Sequence, residues 1–560
     1  MYLSKISFYT ILLFVTFFAV PNTNAAERPK LVVFIAIDQL RADYLTRFRE
    51  FLLPPVQKNG LPGGFRYFTD KGAFYPTAET GHGTNVTAPG HATLSTGALP
   101  YTHGIVANRW FDSETNQVVY GLEDHNSKVL TQTDAPKEKG RSPKNLLSTT
   151  ISDEIKTAFG GKSIVGTVAI KDRAAILMGG HRADYALWFD DKIRGLTTSS
   201  YYSKEMKLPQ WVEQWNKTNW IDKNVPLAWE RMLPRGAYAF STQAPTKNVY
   251  QNYKGLGQEF PHQIEKGGVA FQGTPWGSAY VLEAALEMAS KTGMGKDEIT
   301  DFLGVGISSF DIAGHAFGAN SEQMQDFFIR QDRLLASFLK KLQHTVPGGL
   351  ASITFVLTAD HGVTEIPSIA QSVGMPFKAM APEDFYAKAE SFLEKEFGLN
   401  RKNKPVAYIS ENNLYLNTKE LVVNKLDPEV VAQKLARWLA TQPCFGMAYT
   451  KWELLAGKHA NLHFSKRLAT STHAVRSGDV VYSTTGICPQ YEHYGVQGAE
   501  HGHSYTHDAS VPIMIVGKSF KPGRYFQKAT LADIAPTIAA SVGVSPTTGS
   551  EGRVLAEIIR

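Results

Sequence analysis

Residues 30–37 of this 560-residue chain, Lys-Leu-Val-Val-Phe-Ile-Ala-Ile, constrain its fold more than any other stretch. After the lysine every residue is apolar and most are β-branched or aromatic, so a strand formed here has no polar face to offer water. It must be buried on both sides, the position of a central strand in a parallel sheet covered by helices. Comparable runs recur at 163–170, 303–310, 351–358 and 511–517. Between them the sequence predicts helices over 140–160, 279–292, 321–343 and 531–541; in 321–343 Phe327, Phe328, Leu334, Leu335, Phe338 and Leu342 share one face. The alternation predicts an α/β fold, a doubly wound, mostly parallel sheet with helices on both faces.

The residues at the ends of these runs are chemically selective. Asp38 ends the first, Asp311 with His315 four residues on ends that at 303–310, Asp360-His361-Gly362 lies just past that at 351–358, and Glu500-His501 precedes the last. Open α/β sheets bind ligands outside the carboxyl ends of their strands. Three carboxylates and three imidazoles there (Asp38, Asp311, Asp360, His315, His361, His501) suit zinc or a similar divalent ion, and six ligands divide into two sets of three, each leaving a position open. Locally each residue also has a plainer use; Asp38, for example, serves equally well as cap to a helix starting near Arg41. Lys171 and Arg173 come directly after the 163–170 run at a two-residue spacing that points both cations the same way, toward one phosphoryl group or simply into solvent. Asn108 is a loop residue or an amide donor to an oxyanion.

The segment 86–92, Val-Thr-Ala-Pro-Gly-His-Ala, organises these residues. Thr87 reads as the cap of a helix N-terminus, where unpaired N–H groups and the helix dipole attract anions. Its hydroxyl is then either a structural cap or a nucleophile toward a phosphate or sulfate ester.

The rest of the chain narrows the class. Residues 1–26 have the layout of a secretory signal peptide with cleavage near Ala25 or Ala26, and no later segment is long and apolar enough to span a membrane, so an exported, periplasmic or secreted protein is expected. The net charge of +6 is small for this length and no basic run marks a nucleic-acid surface. Two stretches lose the strand–helix alternation, at about 195–265 and 375–484, and read as insertions forming a cap or pocket rim; the tryptophans in the first are expected to pack rather than stack on bases. Cys444 and Cys488 are expected to pair in an exported protein, tying the second insertion to the last core segment.

In order along the chain, Ile37-Asp38-Gln39, Thr87-Ala-x-Gly-His-Ala, Asn108-Arg-Trp, Lys171-Asp-Arg173, Asp311-x3-His315, Asp360-His361-Gly362 and His501-Gly with Asp508 and Val511-Pro512 beyond it resemble the alkaline phosphatase superfamily, most closely the PafA-type phosphate monoesterases that use threonine as nucleophile. The resemblance covers essentially all of residues 27–560. It implies two zinc ions, one held by Asp311, His315 and His501, the other by Asp38, Asp360, His361 and the Thr87 oxygen. It also implies a covalent phosphothreonine intermediate, with Asn108, Lys171 and Arg173 contacting phosphoryl oxygens of small phosphate monoesters. His91 reads as structural, and His503, His507 and Asp508 match no ligand. A phosphodiesterase or nucleotide pyrophosphatase of the same superfamily is the nearest alternative, and a non-catalytic phosphate-binding export protein the non-enzymatic one. A sulfatase lacks support, since no Cys or Ser precedes x-Pro-x-Arg here.

Overall fold

The computed structural model describes residues 28–131, 140–239, 256–257, 259–265, 268–378, 380–488 and 498–560. The expected signal peptide and part of the first expected insertion lie outside the described residues. Nine strands form the main sheet: β1 (Leu31–Ile37), β2 (Ala73–Glu79), β3 (Val165–Ala169), β4 (Tyr185–Asp190), β5 (Gly195–Thr197), β6 (Asp301–Ile307), β7 (Ile353–Thr358), β8 (Ser510–Val516) and β9 (Gly523–Arg524). Their spatial order is β9-β2-β8-β7-β1-β6-β3-β4-β5. The five strands from β7 to β4 run parallel, whereas β8 is antiparallel to both β7 and β2, and β5 is antiparallel to β4.

β1 occupies the centre, and every one of its residues is buried, as its unbroken apolar run requires. It pairs in register with β6 from Leu31↔Asp301 to Ile37↔Ile307, and with β7 from Leu31↔Ile353 to Ala36↔Thr358. The chain therefore leaves β1, β6 and β7 side by side at one edge. Helices surround the sheet: α1 (Thr87–Thr96), α2 (Asp172–Gly179), α3 (Pro275–Thr292), α4 (Ser309–Phe317) and α5 (Glu322–Thr345) bear most on that edge. α1 packs on α2, and α3 on α5. α5 begins where Ser321 accepts a hydrogen bond from Met324 N–H. No helix among the described residues is long and apolar enough to cross a membrane.

Two expectations shift. The apolar stretch 303–310 is not one strand: β6 runs Asp301–Ile307, and Ser309 already belongs to α4. Ser308 and Ser309 stand where the buried strand gives way to the buried helix, and two buried serines between apolar residues read equally well as the end of a strand. Of 140–160, only Ile151–Ala158 is helical, started by a capping box between Thr150 and Asp153.

Residues 380–488 build a second, four-stranded sheet ordered Val406–Ser410, Asn413–Leu416, Val480–Thr484, Phe445–Thr450. It has its own core, with Phe385, Leu393, Leu414, Leu435, Val480 and Tyr482 buried together. Cys444 and Cys488 are bonded, but the bridge lies within this unit and does not tie it to the last core segment. The reason is pairing: Phe445 lies opposite Thr484, so the two cysteines flank the same end of one antiparallel ladder. In the first expected insertion the aromatic side chains pack: Trp229 is fully buried among Phe260, Phe317 and Phe327, and its ring N–H donates to Asp326.

Candidate active site

Thr87 is the first residue of α1, not its cap. Val86 takes the cap position in extended geometry, and no side chain caps the helix. The local sequence explains this, because a capping oxygen needs the N–H of the second or third helical residue. With Thr87 as cap these would be Pro89, which has no N–H, and Gly90, whose N–H donates to Val86 O at 3.1 Å, while Ala88 N–H donates to Asn108 Oδ1 at 3.0 Å. The Thr87 hydroxyl is left for other partners, and Lys171 Nζ lies 3.2 Å and Arg173 Nη2 3.5 Å from it. Gly90 lets this first turn approach the sheet edge, since a Cβ there would meet Asp360 O at 2.5 Å.

The three neighbouring strand exits deliver the acidic and imidazole residues. Asp38 comes directly after β1, and Asp360 and His361 after β7. Asp311 and His315 are one turn apart on α4, so they reach the edge from a helix and not from the strand end expected of them. His501 arrives on the segment that leads into β8. Nε2 of His315 and of His501 lie 3.3 and 3.5 Å from Asp311 Oδ1, and His361 Nε2 lies 3.3 Å from Asp360 Oδ2. The His361 and His501 rings stack with centroids 3.7 Å apart. All six residues thus converge, and His361 is also within reach of Asp311 and His501.

The surroundings of the imidazoles suit metal ligation. Nδ1 of His315, His361 and His501 bonds to the carbonyls of Ala499, Gly362 and Asn85, at 2.6, 2.9 and 2.8 Å. A proton held on Nδ1 leaves each Nε2 lone pair facing the carboxylates, the tautomer a metal-binding histidine needs. Burial lowers the His501 pKa to about 3, which keeps its ring neutral. Gln39 donates from its backbone to Asp360 and from its side chain to Asp311, fixing both carboxylates. Gly314 makes room for that side chain, because a Cβ there would overlap Gln39 Oε1. Even so, Asp38 Oδ1 and His361 Nε2 are buried without a hydrogen bond among the described residues. Each such atom costs about 1–3 kcal/mol, a penalty that ligation of divalent ions would relieve, so the donor set fits the expected metals.

Lys171 lies between the acidic groups, 2.9 Å from Asp38 Oδ2 and 2.6 Å from Asp311 Oδ2. Burial opposes its charge, but Asp311 and Asp38 outweigh burial and raise its pKa. Burial likewise opposes the Arg173 charge and is outweighed, first by Tyr120 and Asp172. Both cations therefore stay charged in the pocket. Asn108 is held more firmly than expected: its backbone N–H and side-chain amide donate to Glu411 at 2.5 and 2.8 Å.

Two residues of the pocket region go beyond what the sequence predicts. Glu411 comes from the second unit, in the two-residue turn between Val406–Ser410 and Asn413–Leu416, where Glu411 and Asn412 both have positive φ. Nothing in local spacing links it to Asn108, 303 residues away. His91, structural in the sequence reading, sits with Nε2 3.5 Å from Asp38 and Nδ1 3.2 Å from Asp360. The signal for that placement is the i, i+4 spacing, which puts residues 87 and 91 on one helix face.

Comparison with known proteins identifies the family and fold. The family model described as Type I phosphodiesterase / nucleotide pyrophosphatase matches residues 32–486. The chain is 31% identical over 548 residues to alkaline phosphatase PafA of Elizabethkingia meningoseptica, with 96% of both chains covered. It is 31% identical over 546 residues to alkaline phosphatase PhoV of Synechococcus elongatus, covering 96% of this chain and 94% of that one. The crystal structure of wild-type PafA superposes with a TM-score of 0.85 at 30% identity, covering 96% of this chain and 100% of that one. The chain is an enzyme of the alkaline phosphatase superfamily, and it belongs to the Type I phosphodiesterase / nucleotide pyrophosphatase family alongside PafA- and PhoV-type alkaline phosphatases.

Proposed function

We propose that this protein hydrolyses small phosphate monoesters, using Thr87 as nucleophile beside two divalent ions of which zinc best suits the donors. Asp311, His315 and His501 would hold one ion, and Asp38, Asp360 and His361, with the Thr87 oxygen, the other. Ions bound there supply Lewis-acid stabilisation of charge on the entering and leaving oxygens. The Thr87 oxygen attacks phosphorus, the P–O bond to the leaving alcohol breaks, and a phosphothreonine forms; attack by water then releases phosphate and restores the hydroxyl. Lys171 and Arg173 stabilise the non-bridging oxygens. Asn108 Nδ2 gives one hydrogen to Glu411 and keeps a second for the phosphoryl group.

The observation that carries this reading is the uncapped Thr87 hydroxyl, held beside two half-buried cations at the rim of an Asp/His cluster. The test is acid quenching during turnover and then peptide mass spectrometry, with phosphate expected on Thr87; its absence under conditions of steady turnover would remove the covalent route. Diester hydrolysis is the second reading, favoured by the description of the matching family. The names of the full-length relatives and the presence of two cations with an amide for three dianion oxygens favour the monoester. The Cys444–Cys488 bridge supports an exported location.

A further inference from the structure

We propose a third cation site in this protein, formed by His503, His507 and Asp508 and sharing no ligand with the cluster around Thr87. Asp508 is fully buried. Its Oδ2 accepts from the backbone N–H of His503 at 2.8 Å, and ring Nδ1 of His503 lies at the same distance, a contact that cation binding replaces as that nitrogen gives up its proton. Its Oδ1 has no hydrogen bond among the described residues, nor does the atom it faces, His507 Nε2, 3.6 Å away. That separation is too long for a hydrogen bond. It is close to the edge of a tetrahedron with metal–N and metal–O bonds near 2.1 Å, about 3.4 Å. One ligand atom from each of the three residues lies within 4.8 Å of the others. Two buried polar atoms aimed at each other but not bonded, with a second imidazole on the same carboxylate, form a donor set that a cation would satisfy.

The donor types select the ion. Two imidazoles and one carboxylate suit a zinc-like transition cation and are a poor match for Mg2+ or Ca2+, which prefer oxygen ligands throughout. The His507 ring lies parallel to that of Tyr505, 7° between planes with centroids 6.0 Å apart. The position also gives the ion a consequence. Gly362 N–H donates to Asp508 O at 2.6 Å, and Val363 N–H to His507 O at 3.1 Å. His503 lines the pocket two residues beyond His501. A cation here would staple the segment carrying His501 to the loop carrying His361, acting through position and not on substrate.

The test compares bound metal in the wild-type chain with that in His507→Phe, which keeps a ring beside Tyr505, and in His503→Ser. Each protein is saturated with Zn2+, freed of excess, checked for native circular dichroism and counted by mass spectrometry. One ion fewer per chain is expected in each variant, whatever the wild-type total, so failure of the two-ion reading and failure of this one are distinguishable. With Co2+ in place of Zn2+, the wild type is expected to show an absorption component that both variants lack. Equal metal counts and identical Co2+ spectra in the three proteins would overturn the site. If one variant does not fold, the other decides by the same criteria.

Discussion

At the residue scale, chemistry comes from what Thr87 is denied. Pro89 has no N–H and that of Gly90 goes to Val86 O, so the hydroxyl is not spent on capping. Thr87→Ser is expected to keep a substantial part of the wild-type kcat/KM, and Thr87→Ala to lose at least 100-fold (on the order of 3 kcal/mol). The melting temperature separates nucleophile from cap: loss of a cap costs about 1 kcal/mol, so an Ala variant that is inactive but melts like the wild type fits only the first. A second prediction concerns Asp301, whose carboxylate accepts from Ile164 and Gly295 N–H yet is driven by burial to a pKa of about 6. Its folded pKa exceeds the unfolded value of about 3.9, so its stabilising contribution is complete below that pH and lost as pH rises through about 6. Melting of Asp301→Asn against wild type from pH 4 to 7 should show the wild type losing ground to the variant as pH rises; a constant gap would contradict this. The candidate ligands are legible in the sequence because each lies near the end of a buried run, where an α/β sheet exposes its edge. Glu411 is not, because its meaning depends on a contact between two separately folded sheets that no local pattern encodes.

At the element scale, the apolar runs locate β1, β7 and β8 to within two residues, because a strand buried on both faces admits few polar residues, Thr354 and Thr358 being those of β7. The same property hides the boundary between β6 and α4, so the sequence assigns Asp311 and His315 to a strand end, whereas they occupy successive turns of a helix. The reach of the disulfide is hidden for a related reason: cysteine spacing says nothing about which strands pair. Since the bridge spans 44 residues inside a unit with its own core, its loss should act there. In the loop-entropy model, Cys444→Ser with Cys488→Ser costs that unit ~3–4 kcal/mol. Hydrogen exchange should accelerate across 380–488 while β1, β6 and β7 keep their protection; equal acceleration in both sheets would show that the bridge supports the whole molecule.

At the scale of the whole molecule, four elements must meet for the cluster to exist, and the ions are expected to hold them together. Removing metal with a chelator should lower the melting temperature as well as abolish turnover, since the carboxylates and imidazoles then face one another without a cation, and added Zn2+ should restore both. An unchanged melting temperature would mean that the ions add nothing to the fold. That the site is built for a phosphate dianion follows from Lys171 and Arg173 beside the Thr87 hydroxyl, with Asn108 lining the same pocket. A diester has one non-bridging oxygen fewer and a substituent that needs room where these side chains stand. The most direct measurement is kcat/KM of the zinc-loaded protein for a monoester and a diester sharing one leaving group, repeated with Lys171→Ala and Arg173→Ala. We expect the wild type to prefer the monoester by at least ~100-fold, and each substitution to cost monoester turnover ~2–4 kcal/mol and diester turnover much less. A wild-type preference for the diester, or equal losses on both substrates, would contradict it.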